Sequence, residues 1–265
     1  MVFLPTNLYL SPLSKLPKAH QFLDLSDYGR PIATTIATSL KNTRVTPVKV
    51  TVWFVISGLI SIVFMLKGYF WLAGIFLVLK SILDAVDGEL ARIKNTPSYT
   101  GRYLDSVSDI ILNFIIFMVI VYITEASIYL GIIAFFCCQL QGTLYNYYYV
   151  ILRSKLNGDT TSRVVESGTP KALGNESQKA VNVLFALYTI CYSVYDKIIF
   201  RLDRNAEQGK IIPNWLMTGV STFGLGFQLL LISILLIAGL KAFIIPFFIG
   251  YTVMIFVFIG IRKSL

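Results

Sequence analysis

Four aspartates within one short stretch are the residues of this chain best placed to do chemistry. They stand in Asp84-Ala-Val-Asp87-Gly88-Glu-Leu-Ala91-Arg92, followed after eight residues by Gly101, then by Asp105 and Asp109 at successive fourth positions. On a helix, residues three or four apart share a face. Asp84, Asp87, Gly88, Ala91 and Arg92 therefore line one helix, and Asp105 and Asp109 line the next. Two such faces brought together make a cage of four carboxylates. Unit charges about 4 Å apart repel by about 4 kcal/mol at an effective dielectric near 20, so the cage needs cations. Ligands that are all hard oxygens suit Mg²⁺, Mn²⁺ or Ca²⁺ rather than zinc or copper. Gly88 and Ala91 spare side-chain bulk beside the cage, and Arg92 supplies a planar fork that binds phosphate in two places. The chemistry these types describe is phosphoryl or phosphatidyl transfer assisted by metal ions.

The elements that must position these residues are apolar. Residues 70–83 and 107–123 are strongly hydrophobic, so the aspartates end two membrane-length segments, where a carboxylate costs roughly 2.5–3.5 kcal/mol at the bilayer centre. The plainer alternative is a set of solvated helix ends paired with Lys80, Arg92, Lys94 and Arg102. It suits one acid at a membrane boundary better than four in register with small residues between them.

The chain has 265 residues, 55% of them apolar and 14% charged, which places it among polytopic membrane proteins of one domain. A span needs about 20 apolar residues. Six segments qualify, roughly 47–66, 70–91, 103–123, 127–150, 215–237 and 242–261. The expected fold is thus an all-α integral membrane protein with six transmembrane helices. Residues 46–265 form its catalytic domain, and 1–45 a cytoplasmic or interfacial N-terminal segment. Thr46-Pro47 opens the first span as an N-cap followed by Pro in the first turn. Within 31–40, Ile32, Ile36 and Leu40 share a face, which predicts a helix lying on the membrane surface. The first forty residues lack a continuous apolar run, so no cleavable signal peptide is expected. Three cysteines and the single His20 leave no disulfide framework, no zinc site and no histidine base. The tyrosines at 145, 147, 148 and 149 fit an interfacial belt.

Charge distribution sets the expected orientation. With six spans, the basic residues of the loops from Arg30 to Lys263 fall on one side, and the opposite loops hold only Lys67 and Lys241. By the positive-inside rule that first side is cytoplasmic, with both termini and the aspartates on it. The segment 178–200 is long enough to span, but polar residues interrupt it, and a seventh span would move Arg201, Arg204 and Lys210 outward. It is therefore predicted as an interfacial helix within a cytoplasmic loop, 153–214, between spans four and five. The net charge of +9 follows from this distribution and does not point to nucleic acid.

The stretch resembles the signature of the CDP-alcohol phosphotransferase family, D-x2-D-G-x2-A-R-x8-G-x3-D-x3-D. Asp84, Asp87, Gly88, Ala91, Arg92, Gly101, Asp105 and Asp109 match every fixed position and spacing. The resemblance implies a membrane enzyme in which an alcohol attacks the β-phosphorus of a CDP-linked donor and CMP is released. It implies two divalent ions, Mg²⁺ or Mn²⁺, held by Asp84, Asp87, Asp105 and Asp109, with Asp109 as general base. It also implies a CDP pocket lined by Gly88, Ala91, Arg92 and Gly101, and a homodimer. Thr51 matches a polar position near the donor, whereas Val48 stands where members often have Asn.

Arg30-Pro31 and Thr46-Pro47 resemble the branch that takes CDP-diacylglycerol. Its acceptors are small alcohols or alcohol phosphates; Arg153, Arg163 and Lys171 are candidates by position to meet such a phosphate, the alternative being ordinary basic residues of a cytoplasmic loop. A choline- or ethanolamine-type aminoalcohol phosphotransferase acting on a lipid alcohol is the alternative. A cation transporter, suggested by intramembrane acids alone, predicts acids scattered over several helices rather than gathered at two helix ends.

Overall fold

The computed structural model describes residues 16–156, 168–174 and 176–265, and among them the fold is all-helical. Helix α1 (Arg30–Leu40) leads into α2 (Pro47–Leu66), α3 (Phe70–Ile93), α4 (Tyr99–Thr124) and α5 (Ile128–Lys155). After the loop come α6 (Gln178–Leu202), α7 (Asn214–Val220), α8 (Leu225–Ile237), α9 (Ile244–Tyr251) and α10 (Val253–Ser264). Among the described residues, five helical stretches are long and apolar enough to cross a membrane. They become six if Asn214–Phe223 and Leu225–Ile237, bent by 53° at Gly224, count as one span.

Two helices test the expected six spans. Helix α3, the expected second span, has 24 residues but carries Lys80, Asp84, Asp87, Glu89 and Arg92, too much charge to pass as a span by composition. It is held by protein instead, packed against α1, α2 and α8. Helix α6 passes by length and apolarity, yet both its ends touch the same end of the bundle. At its start, Glu176 bonds the first turn of α4. At its finish, Asp203 bonds Tyr147 and Tyr148 near the end of α5. As α4 and α5 are antiparallel neighbours, both contacts lie toward one end of the bundle, while the middle of α6 packs along the two helices through Tyr192 on the Ser106 carbonyl and Tyr195 on Phe136. The stripe Val183, Leu187, Ile190 and Val194 on its outer face is exposed, a surface that an interfacial helix and a lipid-facing span both present.

Sequence signals account for the helix starts. Thr46 caps α2 through the Lys49 N–H, and Ser98 caps α4 through the Gly101 N–H at 2.8 Å. Between α3 and α4 the chain reverses at Asn95, whose φ of 51° is left-handed, a conformation Asn tolerates better than most residues. The core runs the length of the bundle, from Met65, Leu77 and Ile120 at one end to Leu152, Leu216 and Ile259 at the other.

Helix α1 forms where a helix is expected over 31–40, and Ile36 and Leu40 of the expected face pack beside α3. Helix α1 buries Ala33 and Ala37 on α3, against Val86 and Leu90, while Ile32 is 53% exposed. Small residues let two helices approach closely, so α1 is clamped to the helix that carries the aspartates. The tyrosine run differs from expectation: Tyr147 and Tyr148 are buried, and Tyr145 donates to Asp24 at 2.5 Å. These hydroxyls find partners inside the protein rather than at a membrane belt.

The bend at Gly224 has a tertiary cause. The 3₁₀ turn Leu25–Asp27 packs there, with the Leu25 N–H donating to Ser221 Oγ at 2.9 Å. A Cβ on Gly226 would lie 1.9 Å from the Ser26 carbonyl oxygen, and one on Gly224 would lie 2.3 Å from Ser26 Cβ.

Candidate active site

The last turns of α3 and the first turns of α4 meet at one end of the bundle, beside α2. Asp84, Asp105 and Asp109 each offer a carboxylate oxygen, and these oxygens lie within 4.8 Å of one another. Asp87 places a further carboxylate beside Asp84 and Asp105. Its Oδ2 accepts a hydrogen bond from Thr51 Oγ1 on α2 at 2.7 Å, and both side chains are buried. Thr51, expected near a donor, thus reaches the cage through Asp87.

The cage is closely held but incompletely paired. Lys80, one turn before Asp84 and fully buried, donates through Nζ to Asp109 Oδ1 at 2.5 Å. Asp105 Oδ1 is buried without a hydrogen-bond partner. A buried acceptor left so costs about 1–3 kcal/mol, more when charged, so this oxygen is a free ligand position. Three carboxylates around one point, one of them with an open oxygen, fit a hard divalent cation.

Arg92 is aimed by Glu89, which is 1% exposed. Glu89 Oε2 accepts from Arg92 Nη2 and from Arg30 Nη1 of α1, while Asp27 takes Arg30 Nε. Arg92 Nε, Glu89 Oε1 and Thr100 Oγ1 are buried without partners, so part of the fork's capacity is uncommitted. Beside it, a Cβ added at Gly88 would meet only Arg92 Nη1, 3.7 Å away, which leaves open space along α3. At Gly101 an added Cβ would press on Ser98 Oγ at 3.2 Å and reach Val48 at 3.8 Å. Gly101 therefore protects the cap of α4. Ala91 faces the same end, partly exposed.

Two elements outside the motif shape the entrance. Glu176 accepts from Ser98 Oγ at 2.5 Å and from the N–H groups of Tyr99, Thr100 and Leu173 at 2.8–3.1 Å, tying the 168–177 loop to the start of α4. Burial pushes its pKa up, but these donors outweigh burial and hold the carboxyl below its ordinary value of 4.5. Helix α6 covers the neighbouring face: Tyr192 donates to the Ser106 carbonyl at 2.9 Å, and Tyr188 and Phe185 pack on Tyr103.

Of the candidate acceptor residues, Arg153 is buried with its guanidinium 5.0 Å from the Tyr149 ring centroid. Lys171 is exposed, and Arg163 lies outside the described residues. Sequence reasoning passed over Glu89, Glu176 and Asp203, and placed Lys80 only among general partners of the aspartates. Lys80, four residues before Asp84, shares the motif's face, a signal that was available, whereas Glu89 turns toward α1 and meets the motif only at Arg92. The placement of Glu176 depends on a contact 78 residues away.

Fold and site together define an all-helical membrane protein with carboxylates and an arginine gathered at one end of its bundle. A family model for CDP-alcohol phosphatidyltransferase matches residues 44–217. This covers more than half of the chain and includes every motif position, and the chain belongs to that family. It is accordingly a transferase of substituted phosphate groups, moving a phosphatidyl group from a CDP-alcohol. No curated protein matches the sequence.

Proposed function

We propose that this protein is a metal-dependent enzyme of phospholipid synthesis, which transfers the phosphatidyl group of CDP-diacylglycerol to the hydroxyl of a small alcohol or alcohol phosphate. The observation that carries the reading is the convergence of Asp84, Asp105 and Asp109 within 4.8 Å, beside the open face at Gly88 and the half-buried Arg92, whose Nε has no partner.

In this reading, Asp84, Asp87, Asp105 and Asp109 hold the divalent ions, with Thr51 orienting Asp87. Bound there, Mg²⁺ or Mn²⁺ would neutralise the pyrophosphate and the charge that grows on it during transfer. Arg92, steadied by Glu89, binds a donor phosphate. The bare flank of α3 at Gly88 and Ala91 takes the nucleotide, with Gly101 opposite. Asp109 accepts the proton of the acceptor hydroxyl, whose oxygen attacks the β-phosphorus. As the new P–O bond forms, the bond from that phosphorus to the bridging oxygen breaks and CMP leaves with the electron pair. A positioned base contributes typically 10²–10⁴-fold.

The one-sided distribution of basic loops supports a cytoplasmic site and cytoplasmic termini, where CDP-linked donors are made. The homodimer is carried over from the family resemblance. The test is purified protein supplied with CDP-diacylglycerol and a panel of serine, glycerol phosphate, inositol and inositol phosphate, with CMP and lipid product read together. Product with one of these acceptors supports the reading. Product formed only from CDP-choline or CDP-ethanolamine with diacylglycerol would replace it by the aminoalcohol reaction.

A further inference from the structure

One buried charge near the site has no part in the mechanism above. Lys80 lies on α3 with no exposed surface, and its Nζ touches Asp109 Oδ1 and sits 4.8 Å from the Phe54 ring centroid. Its stem runs past Gly58 on α2, where an added Cβ would come within 3.6 Å of Lys80 Cδ and 3.0 Å of Leu112. Two helices are thus shaped to hold an ammonium at this depth. An unpaired ammonium in a helix interior is strongly disfavoured, and the partner this one has is the carboxylate assigned to take the acceptor's proton.

We propose that Lys80 is a positioning residue, a resident cation of the cage that ties down one oxygen of Asp109 and leaves the other for the acceptor hydroxyl. The inference rests on the metal-dependent reading of the same site. It has a consequence that simple packing lacks. Lys80 cancels part of the cage's negative charge, so it weakens divalent binding while keeping Asp109 from being drawn wholly into the ions. The chain trades metal affinity for a base in the right place.

Lys80→Met keeps the length of the stem and removes the charge. Wild type and variant, purified in detergent, are titrated with Mn²⁺ while free Mn²⁺ is followed by electron paramagnetic resonance, and CMP release is measured in parallel. The expected result is Mn²⁺ binding tighter by about tenfold in Lys80→Met, because a like charge beside the cation is gone. Turnover should fall about tenfold or more at saturating metal, with donor KM within a few-fold. Lys80→Arg, which keeps the charge, should return Mn²⁺ affinity to the wild-type range.

Unchanged Mn²⁺ affinity in Lys80→Met overturns the inference. So does weaker binding, which would make Lys80 a strut of the cage. If Lys80→Met does not fold, Asp109→Asn is compared with the Lys80→Met/Asp109→Asn pair, in which neither buried charge is left alone. Tighter Mn²⁺ binding in the pair supports the role, and equal binding overturns it. Wild-type protein that binds no Mn²⁺ overturns the metal reading itself, a result distinct from wild type and variant binding alike.

Discussion

Two groups of buried charge in this molecule are handled in opposite ways. Asp203, at the end of α6, is wholly buried and both its carboxylate oxygens are taken, one by the Tyr148 hydroxyl at 2.7 Å and the other by Arg262. Its backbone carbonyl accepts from Tyr147 at 3.0 Å. Every oxygen of Asp203 is engaged, with Arg262 Nε alone in the cluster left without a partner, and the contacts join α5, α6 and α10. Around Asp84, Asp105 and Asp109, three carboxylates converge, Lys80 bonds one of them, and an Asp105 oxygen is left open. A saturated cluster has nothing to offer a ligand and holds helices together. An undersaturated one is costly alone and gains most when cations arrive. The same residue type thus serves the fold in one place and chemistry in the other.

Substitutions can break this contrast from either side. At the open cluster, Asp109→Asn should lower kcat at least a hundredfold, the scale of losing a general base, with donor KM within a few-fold and thermal stability little changed. Donor affinity falling in proportion to rate would make Asp109 a structural ligand. At the closed cluster the pattern should invert. Asp203→Ala leaves Arg262 buried without its carboxylate and should cost about 3–5 kcal/mol, read as a lower melting temperature in detergent. Its kcat per folded molecule should stay within two- or threefold, and a selective loss of turnover would place Asp203 in the site.

A smaller effect sharpens the role of Arg92. Arg92→Lys keeps the charge but loses the fork held by Glu89, and should raise donor KM or lower kcat by roughly tenfold, the worth of one charge-assisted hydrogen bond. Acceptor KM should hardly move. An effect confined to the acceptor would reverse the assignment.

The smallest effect expected is at Glu176. Its pKa is held below 4.5 in the folded protein, so its contribution is fully present above that ordinary value and is lost as pH falls through the depressed one. Hydrogen exchange of the Tyr99 and Thr100 amides should speed up in that acidic window. At neutral pH Glu176→Gln should speed it too, by an amount worth about 0.5–2 kcal/mol, the range for a lost cap. Exchange that is indifferent to both would remove the clamp.

Much of this was legible in the chain itself, because helical spacing decides which residues share a face. The intervals from Asp84 to Asp109 foretold the convergence of two helices, and Thr46 and the polar break after α5 foretold boundaries. What spacing cannot decide is which partner wins on a face. Asp87 shares the motif's register and has one oxygen bonded by Thr51, and the alanines of α1 are buried against α3 with Ile36 and Leu40 packed beside them. The bend at Gly224 and the inward tyrosines of α5 follow from segments far away in sequence, Ser26 and Asp203. Lys80 was legible as a partner for the aspartates, but spacing alone could not say that Asp109, on the next helix, is the one it bonds.

The central claim is that the open cluster works by holding divalent ions for release of CMP. It is tested most directly by following CMP release from CDP-diacylglycerol, with the acceptor found by screening, before and after chelation with EDTA. Wild type, Asp84→Asn and Asp203→Ala are compared at a temperature where all are folded. The account predicts that EDTA abolishes release by wild type and Asp203→Ala, that Mg²⁺ or Mn²⁺ restores it in both, and that Asp84→Asn stays below about a hundredth of the wild-type rate at any metal concentration, a loss of the size seen when transition-state electrostatics are removed. CMP release that survives chelation, or that Asp84→Asn carries out at the wild-type rate, would contradict it.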